Sequence, residues 1–313
     1  MEPNGLPSSP HYETFVFKGS SSRSADDFNW VVWAKPPGKS FATIIAIGGG
    51  GAGGNGAIGN AGGSAGGGGG GSGGMTIVDV PLSALPSQLY INVSYSDNPG
   101  TGNLITDSVV AIRPELTTIN VVARAYGGGT GGNANGSTAG AAGTAGSAAT
   151  ASVMMYGWAY RRSVIAGQAG SAGGTTSNGV AVTLPVTGAR VTGGTGGGGV
   201  PSGSTGTNGG ALTVPVSPSY FPSHPGGTAP GSATTPPGRG NSGVSVRDTG
   251  MYFYGGTGGA GTFGTATGAG LVQAAGGNGG IGSGGGGSGG ARTGSTLAAA
   301  SYGGPGMVII TCY

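Results

Sequence analysis

Three stretches of this chain, 48–74, 127–160 and 249–291, consist largely of glycine and other small residues and contain no charged side chain. Glycine loses more conformational freedom on ordering than any other residue and is a poor helix former. Nowhere do apolar residues recur at i, i+3, i+4 and i+7 over three turns, so almost no helix is expected. Disordered chains usually combine low hydropathy with high net charge. Here 79 Gly in 313 residues accompany a net charge of only +3 and a mean hydropathy of +0.06, which points to ordered glycine. A segment without Cβ atoms can run as polyproline II, a left-handed three-residue helix with no internal hydrogen bonds. Several side by side can approach until their backbones bond one another and make Cα–H···O contacts. Asn55, Asn60 and Ser64 mark places where the first stretch can turn back.

The rest of the composition excludes several classes. Twelve Lys and Arg spread over the chain do not form a stripe that neutralises phosphates, so no nucleic-acid partner is expected. No run of ~18 apolar residues is present, which argues against membrane insertion by a helix. The N-terminus has no basic region followed by an apolar stretch, so no secretory signal peptide is expected. Cys312 is the single cysteine, which rules out an intrachain disulfide and a cysteine-based zinc site.

An internal repeat sets the organisation. At an offset of 78, Val31-Val32-Trp33-Ala34-Lys35-Pro36 lies opposite Val109-Val110-Ala111-Ile112-Arg113-Pro114, and the tract 48–55 lies opposite 126–133. Each unit reads as a strand, a basic-Pro turn, a β-branched strand, a glycine tract and a further strand. Strands are expected at 28–33, 41–47, 75–80, 89–95, 108–113, 117–126 and 151–161. The second half is less regular, with candidates at 180–184, 211–216, 243–247, 251–254 and 307–312. The segment 217–240 holds six prolines and reads as an exposed loop.

Motifs for catalysis or metal binding are weak. Gly38-Lys39-Ser40 lacks the glycine five positions earlier, where Trp33 stands, and no helix follows, so it reads as a turn. The three tracts offer no Asp or Glu to ligate calcium. His11 and His224 are too few and too far apart in sequence for a metal site or triad. Asp26-Asp27 reads as a solvated turn, and Trp158, Tyr160, Arg161 and Arg162 as a strand face and its rim. The best contact residues are Tyr220, Phe221, His224 and Arg239, set among prolines and glycines. Aromatic and Arg side chains on a stiff loop bind at low entropic cost. The polar loop 96–106 is a second candidate for a tip or subunit contact.

Trp33-Ala34-Lys35-Pro36, the strand 44–47 and the tract 48–54 resemble the opening of the Gly-rich domain of phage tail-fibre and other virion proteins. Ser83-Ala84-Leu85 is similar to that family's turn, and Gly303-Gly304-Pro305-Gly306-Met307-Val308-Ile309-Ile310 to its closing tract and strand. The polar loop 96–106 and the stretch 211–240 depart from the pattern, where the family more often continues in glycine. Tract composition also resembles the polyproline-II sandwich adhesins at the tips of some phage fibres, which makes receptor binding plausible.

The expected architecture is all-β, with strands framing polyproline-II glycine tracts. Its parts are an N-terminal arm (1–27), two strand–tract units (28–107 and 108–192) and an irregular Gly/Pro-rich part with a terminal strand (193–313). The resemblance implies a non-enzymatic bacteriophage virion protein, a tail-fibre, tip or spike component in host attachment. Its implied partners are other virion proteins, a host receptor or glycan, and further copies of itself. The alternatives are a capsid decoration or head-fibre protein and a secreted bacterial glycine-rich adhesin. No cofactor is expected.

Overall fold

The segments Phe41–Ile47, Met75–Pro81 and Met307–Cys312 alternate buried and half-buried residues, the signature of strands with two unlike faces. The fold is given by a computed structural model that describes residues 12–19, 30–59, 63–95, 107–117, 120–147, 161–184, 191–202, 205–213, 223–232, 235–246, 252–262, 272–296, 298–299 and 301–313. Its longer strands are β1 (Glu13–Lys18), β2 (Val31–Ala34), β3 (Phe41–Ile47), β4 (Met75–Pro81), β5 (Gln88–Asn92), β6 (Ser108–Ala111), β7 (Val121–Ala125), β8 (Arg161–Ile165) and β9 (Met307–Cys312). Among the described residues the only helical element is a 3-10 turn, Leu82–Ala84.

The strands form two antiparallel sheets, in the orders β1-β9-β3-β4-β8 and β2-β5-β6-β7. They face each other across a core that includes Ile44, Val78, Val308 and Ile310 from the first sheet and Trp33, Leu89, Ile91 and Val110 from the second. Each such buried aliphatic side chain is worth roughly 1.5–3 kcal/mol. Phe15 meets Trp33 edge-on at 5.8 Å. Lys35 Nζ donates to the carbonyls of Leu82 at 3.0 Å and Leu85 at 3.3 Å, so the basic residue of the basic-Pro turn caps the 3-10 turn.

Strands β3 and β9 have the bounds that the sequence predicts, while β1 arises within the N-terminal arm, where no strand is expected. The expected strand 151–161 lies outside the described residues up to position 160; β8 begins at Arg161. The expected strand at 180–184 shortens to Val182–Thr183, which pairs in parallel with Leu212–Thr213; of the expected strand 211–216, positions 214–216 lie outside the described residues.

Beyond the sandwich the described residues run back and forth in fourteen segments tied by backbone hydrogen bonds. Tracts 1 to 4 are 48–57, 64–74, 126–134 and 140–147; tracts 5 to 8 are 166–174, 177–184, 191–200 and 205–213. Tracts 9 to 11 are 224–229, 238–244 and 253–262, and tracts 12 to 14 are 273–280, 282–291 and 301–306. Odd-numbered tracts leave the sheet end and even-numbered tracts return to it.

Tract 2 shows the principle. The N–H groups of Gly66, Gly69 and Ser72 donate to tract 5, those of Gly67, Gly70 and Gly73 to tract 13, and those of Gly68, Gly71 and Gly74 to tract 3. Its carbonyls rotate in the same way, accepting from tract 1 at Gly68 and Gly71, from tract 4 at Gly66 and Gly69, and from tract 7 at Gly67 and Gly70. Donor and acceptor neighbours alternate around it, and each is bonded to the next, so six tracts close a ring. Tracts 7, 11 and 13 are enclosed in the same manner. The whole is a hexagonal patch of four layers: tracts 3, 1 and 14; tracts 4, 2, 13 and 12; tracts 5, 7, 11 and 10; and tracts 6, 8 and 9.

The pattern explains where glycine is obligatory. A methyl group on Gly69 would overlap the Gly194 carbonyl, and one on Gly284 the Gly70 carbonyl. On the rim only one side is crowded, and tract 4 keeps Gly140, Gly143 and Gly146 for its contacts with tract 2 while placing Ala and Thr between them. The repeat at offset 78 also finds its place: tracts 1 and 3 lie side by side in parallel, with Gly128 N–H on Gly49 O and Gly131 N–H on Ala52 O. Replacing Gly69 with Ala is expected to cost about 3 kcal/mol or more, because the obstacle is rigid backbone. Gly231→Ala, where nothing lies within 4 Å, is expected to leave the thermal midpoint nearly unchanged; calorimetry of both variants checks this.

Candidate functional site

Because the tracts alternate in direction, seven of the connections between them begin and end, among the described residues, at the end remote from the sandwich. They join tract 1 to 2, 3 to 4, 5 to 6, 7 to 8, 9 to 10, 11 to 12 and 13 to 14. In sequence these connections are built mainly from Ser, Thr, Asn, Gly, Pro and small or aliphatic residues, with Phe263 and Arg292 as the exceptions, and none contains Asp or Glu. These connections therefore offer mainly hydroxyls, amides and methyl groups.

Several described parts of these connections are tied locally. Asn135 and Thr138 exchange backbone bonds of 3.0 and 2.9 Å around Gly136, whose φ of 57° suits glycine. In the turn from tract 9 to tract 10, the Ser232 and Thr235 hydroxyls lie 2.8 Å apart. Ile58 is 40% exposed, and its backbone pairs in parallel with Ala291 while Gly59 pairs with Arg292. Thr293 returns to Gly59 O with both its N–H and its hydroxyl, each at 3.1 Å. Val272, 49% exposed, bridges to Thr296 beside them.

Arg292 joins several of these turns. Its side chain is buried, with Nη2 donating to Pro201 O at 2.9 Å, and its backbone N–H donates to Thr262 Oγ1 at 3.2 Å. One residue thus ties the turns at 201, 262 and 292, through its side chain at 201 and its backbone at 262, and the charge is turned inward. Ile58, Thr293 and Val272 rather than the guanidinium are left at the surface.

The contact residues proposed from sequence fall elsewhere. Tyr220 and Phe221 lie outside the described residues, in the connection between the sheet-proximal ends of tracts 8 and 9. His224 opens tract 9, exchanges backbone bonds with Leu212 at 2.9 and 3.0 Å, and packs its ring 5.8 Å from that of Tyr254. Arg239 is exposed on tract 10, between Gly238, which donates to Thr228 O, and Gly240, which donates to Ala275 O. About three residues of extended chain separate the two levels, roughly 10 Å, so His224 and Arg239 are not brought into one cluster. His11, Asp26, Asp27, Trp158, Tyr160 and the loop 96–106 also lie outside the described residues. Gly38 has a φ of 74°, as the turn reading of Gly38-Lys39-Ser40 requires. No group of three His, Cys, Asp or Glu side chains gathers among the described residues.

Sequence reasoning missed a second repeat, at an offset of 30. Thr175, Asn178, Gly179, Ala181 and Thr183 recur as Thr205, Asn208, Gly209, Ala211 and Thr213. Tracts 6 and 8, which carry it, lie side by side in parallel. The signal was present, but Asn-Gly-x-Ala is easily lost in a background of glycine. No protein-family model matches the chain, and no curated protein matches it either.

Cys312 closes the sandwich core and is fully buried. Burial, assisted by the negative charge of Glu13 and opposed by Lys39, pushes its thiol up to about 11 from an ordinary 9.0. A pKa raised on folding means that the neutral thiol favours the fold below pH 9, and this contribution is lost as pH climbs from 9 towards 11. At pH 8 the folded thiol should react with a disulfide reagent about a hundredfold more slowly than the unfolded chain. Stopped-flow labelling with and without denaturant measures that ratio.

Proposed function

We propose that this chain is a non-enzymatic bacteriophage virion structural protein, a tail-fibre, tip or spike component that contacts the host surface. Its glycine tracts run as polyproline II helices, the sandwich end seats on other virion proteins, and the remote turns meet the receptor. The observation that carries this reading is the strict alternation of tract direction, which delivers seven turns to one end of a stiff bundle. Bonds that rotate with a period of three and run between tracts match the three residues per turn of polyproline II.

The division of labour supports the same reading. The sandwich holds most of the aliphatic core, while the remote turns carry varied small polar residues. A binding surface built on rigid elements loses little entropy on contact. Such turns can change in sequence without disturbing the glycine lattice, which suits recognition of a variable surface.

The test uses particles carrying Ile58→Asp together with Thr293→Lys at the remote end, compared with particles carrying Tyr220→Ala and Phe221→Ala. Adsorption to host cells is expected to fall at least tenfold for the first pair, with normal incorporation into the particle. Unchanged adsorption for the first pair, with loss for the second, would move the contact to the aromatic connection. Immunogold labelling spread over the capsid would replace attachment by decoration.

A further inference from the structure

We propose that the outermost layer, tracts 6, 8 and 9, is a lateral binding wall for a neutral, unbranched polysaccharide. This goes beyond the attachment reading, since it concerns the side of the bundle rather than its remote end.

The layer carries a ladder of amides locked in one orientation. The backbone N–H of Asn208 donates to Asn178 Oδ1 at 3.0 Å, and the backbone N–H of Ala229 donates to Asn208 Oδ1 at 2.6 Å. Each amide oxygen is thus held by the next tract, which fixes the identity of the nitrogen opposite it. The two Nδ2 groups make no bond among the described residues, and both residues are exposed. They stand at the same level on adjacent tracts as preset donors.

Five residues further along, roughly 15 Å at polyproline rise, the exposed Thr183 and Thr213 hydroxyls form a second matched pair 3.1 Å apart. Between the pairs lie Val180, 51% exposed, and Ala181. The offset-30 repeat therefore presents an amide pair, an aliphatic floor and a hydroxyl pair in line. Alternating hydroxyls and C–H faces are the chemistry of a sugar chain, and orienting the donors in advance lowers the entropic cost of binding it.

Charge selects the class. Residues 175–184, 205–213 and 223–231 include no Lys, Arg, Asp or Glu. An anionic polymer finds no countercharge on this wall, and a cationic one finds no carboxylate. A neutral chain matches it.

The experiment exposes the full-length protein to a printed array of neutral and anionic oligosaccharides, followed by titration of the best neutral binder. The variant Asn178→Asp/Asn208→Asp keeps an acceptor for both backbone N–H groups but removes both donors, and calorimetry confirms that it folds. Affinity for the neutral glycan is expected to fall at least tenfold in this variant and to persist in the remote-end variant Ile58→Asp/Thr293→Lys. Absence of any neutral binder, or equal affinity in the Asp variant, overturns the proposal. Loss only in the remote-end variant overturns it as well and assigns the sugar to the attachment end.

Discussion

Everything in this molecule depends on backbones approaching one another more closely than a Cβ would allow. In tract 2 each N–H and each carbonyl between Gly66 and Gly71 is bonded to one of six neighbours, in rotation. Bonds that repeat at every third residue point in three directions, so three donor directions and three acceptor directions define a hexagon. The side chains that do enter the lattice take over backbone duties. Ser72 Oγ donates to Val191 O at 3.1 Å and accepts from Gln168 N–H at 2.7 Å. Thr195 Oγ1 donates to Gly210 O at 2.6 Å and accepts from Gly258 N–H at 2.7 Å.

Such a lattice is close to balance by itself. Fixing one residue's backbone costs roughly 1–2 kcal/mol, and a net hydrogen bond returns about 0.5–1.5 kcal/mol. The aliphatic sandwich supplies the margin. Ile47, Met75 and Met307 pack with Val191 and Phe253 where the first sheet meets the tract ends. Beside them Asp107 pairs with Arg124 at 2.5 Å and accepts from Gly127 N–H at 3.0 Å, while Arg124 lies 4.3 Å over the Tyr126 ring. The sheets therefore set the direction in which tracts 1, 3 and 14 enter the lattice. Closure is also highly non-local, since Gly59 is tied to Thr293 across 234 positions, and such topologies fold slowly.

How much of this was legible in the sequence varies by element. The strands 41–47 and 307–312 were, because β-branched alternation bounded by glycine leaves little choice. The ordering of glycine was expected from missing charge; of Asn55, Asn60 and Ser64, the expected turning places, Asn55 lies within tract 1, Ser64 opens tract 2 and Asn60 lies outside the described residues. Hidden in the sequence was a code for depth in the lattice: runs such as 66–71 are enclosed, whereas Gly140, Gly143 and Gly146, with Ala and Thr between, face the interior on one side only. The remote-end site was not legible, because it comes from the alternation of fourteen tracts and not from any motif. Arg292 read as one more scattered cation, and its role as a tie between turns follows only from tertiary contacts. Aromatic and Arg side chains make 217–240 stand out in the sequence, whereas turns made of Ser, Thr and Asn carry no comparable signal.

The central claim is that the enclosed glycines form a solid hydrogen-bonded lattice. Native-state hydrogen exchange of the amides of residues 66–71 tests it most directly, since these groups carry no side chain to shield them and depend wholly on their neighbours. The account predicts protection approaching that of the β3 and β9 amides, lost only with global unfolding. Exchange at the rate of a free glycine-rich linker, with β3 and β9 still protected, would contradict it.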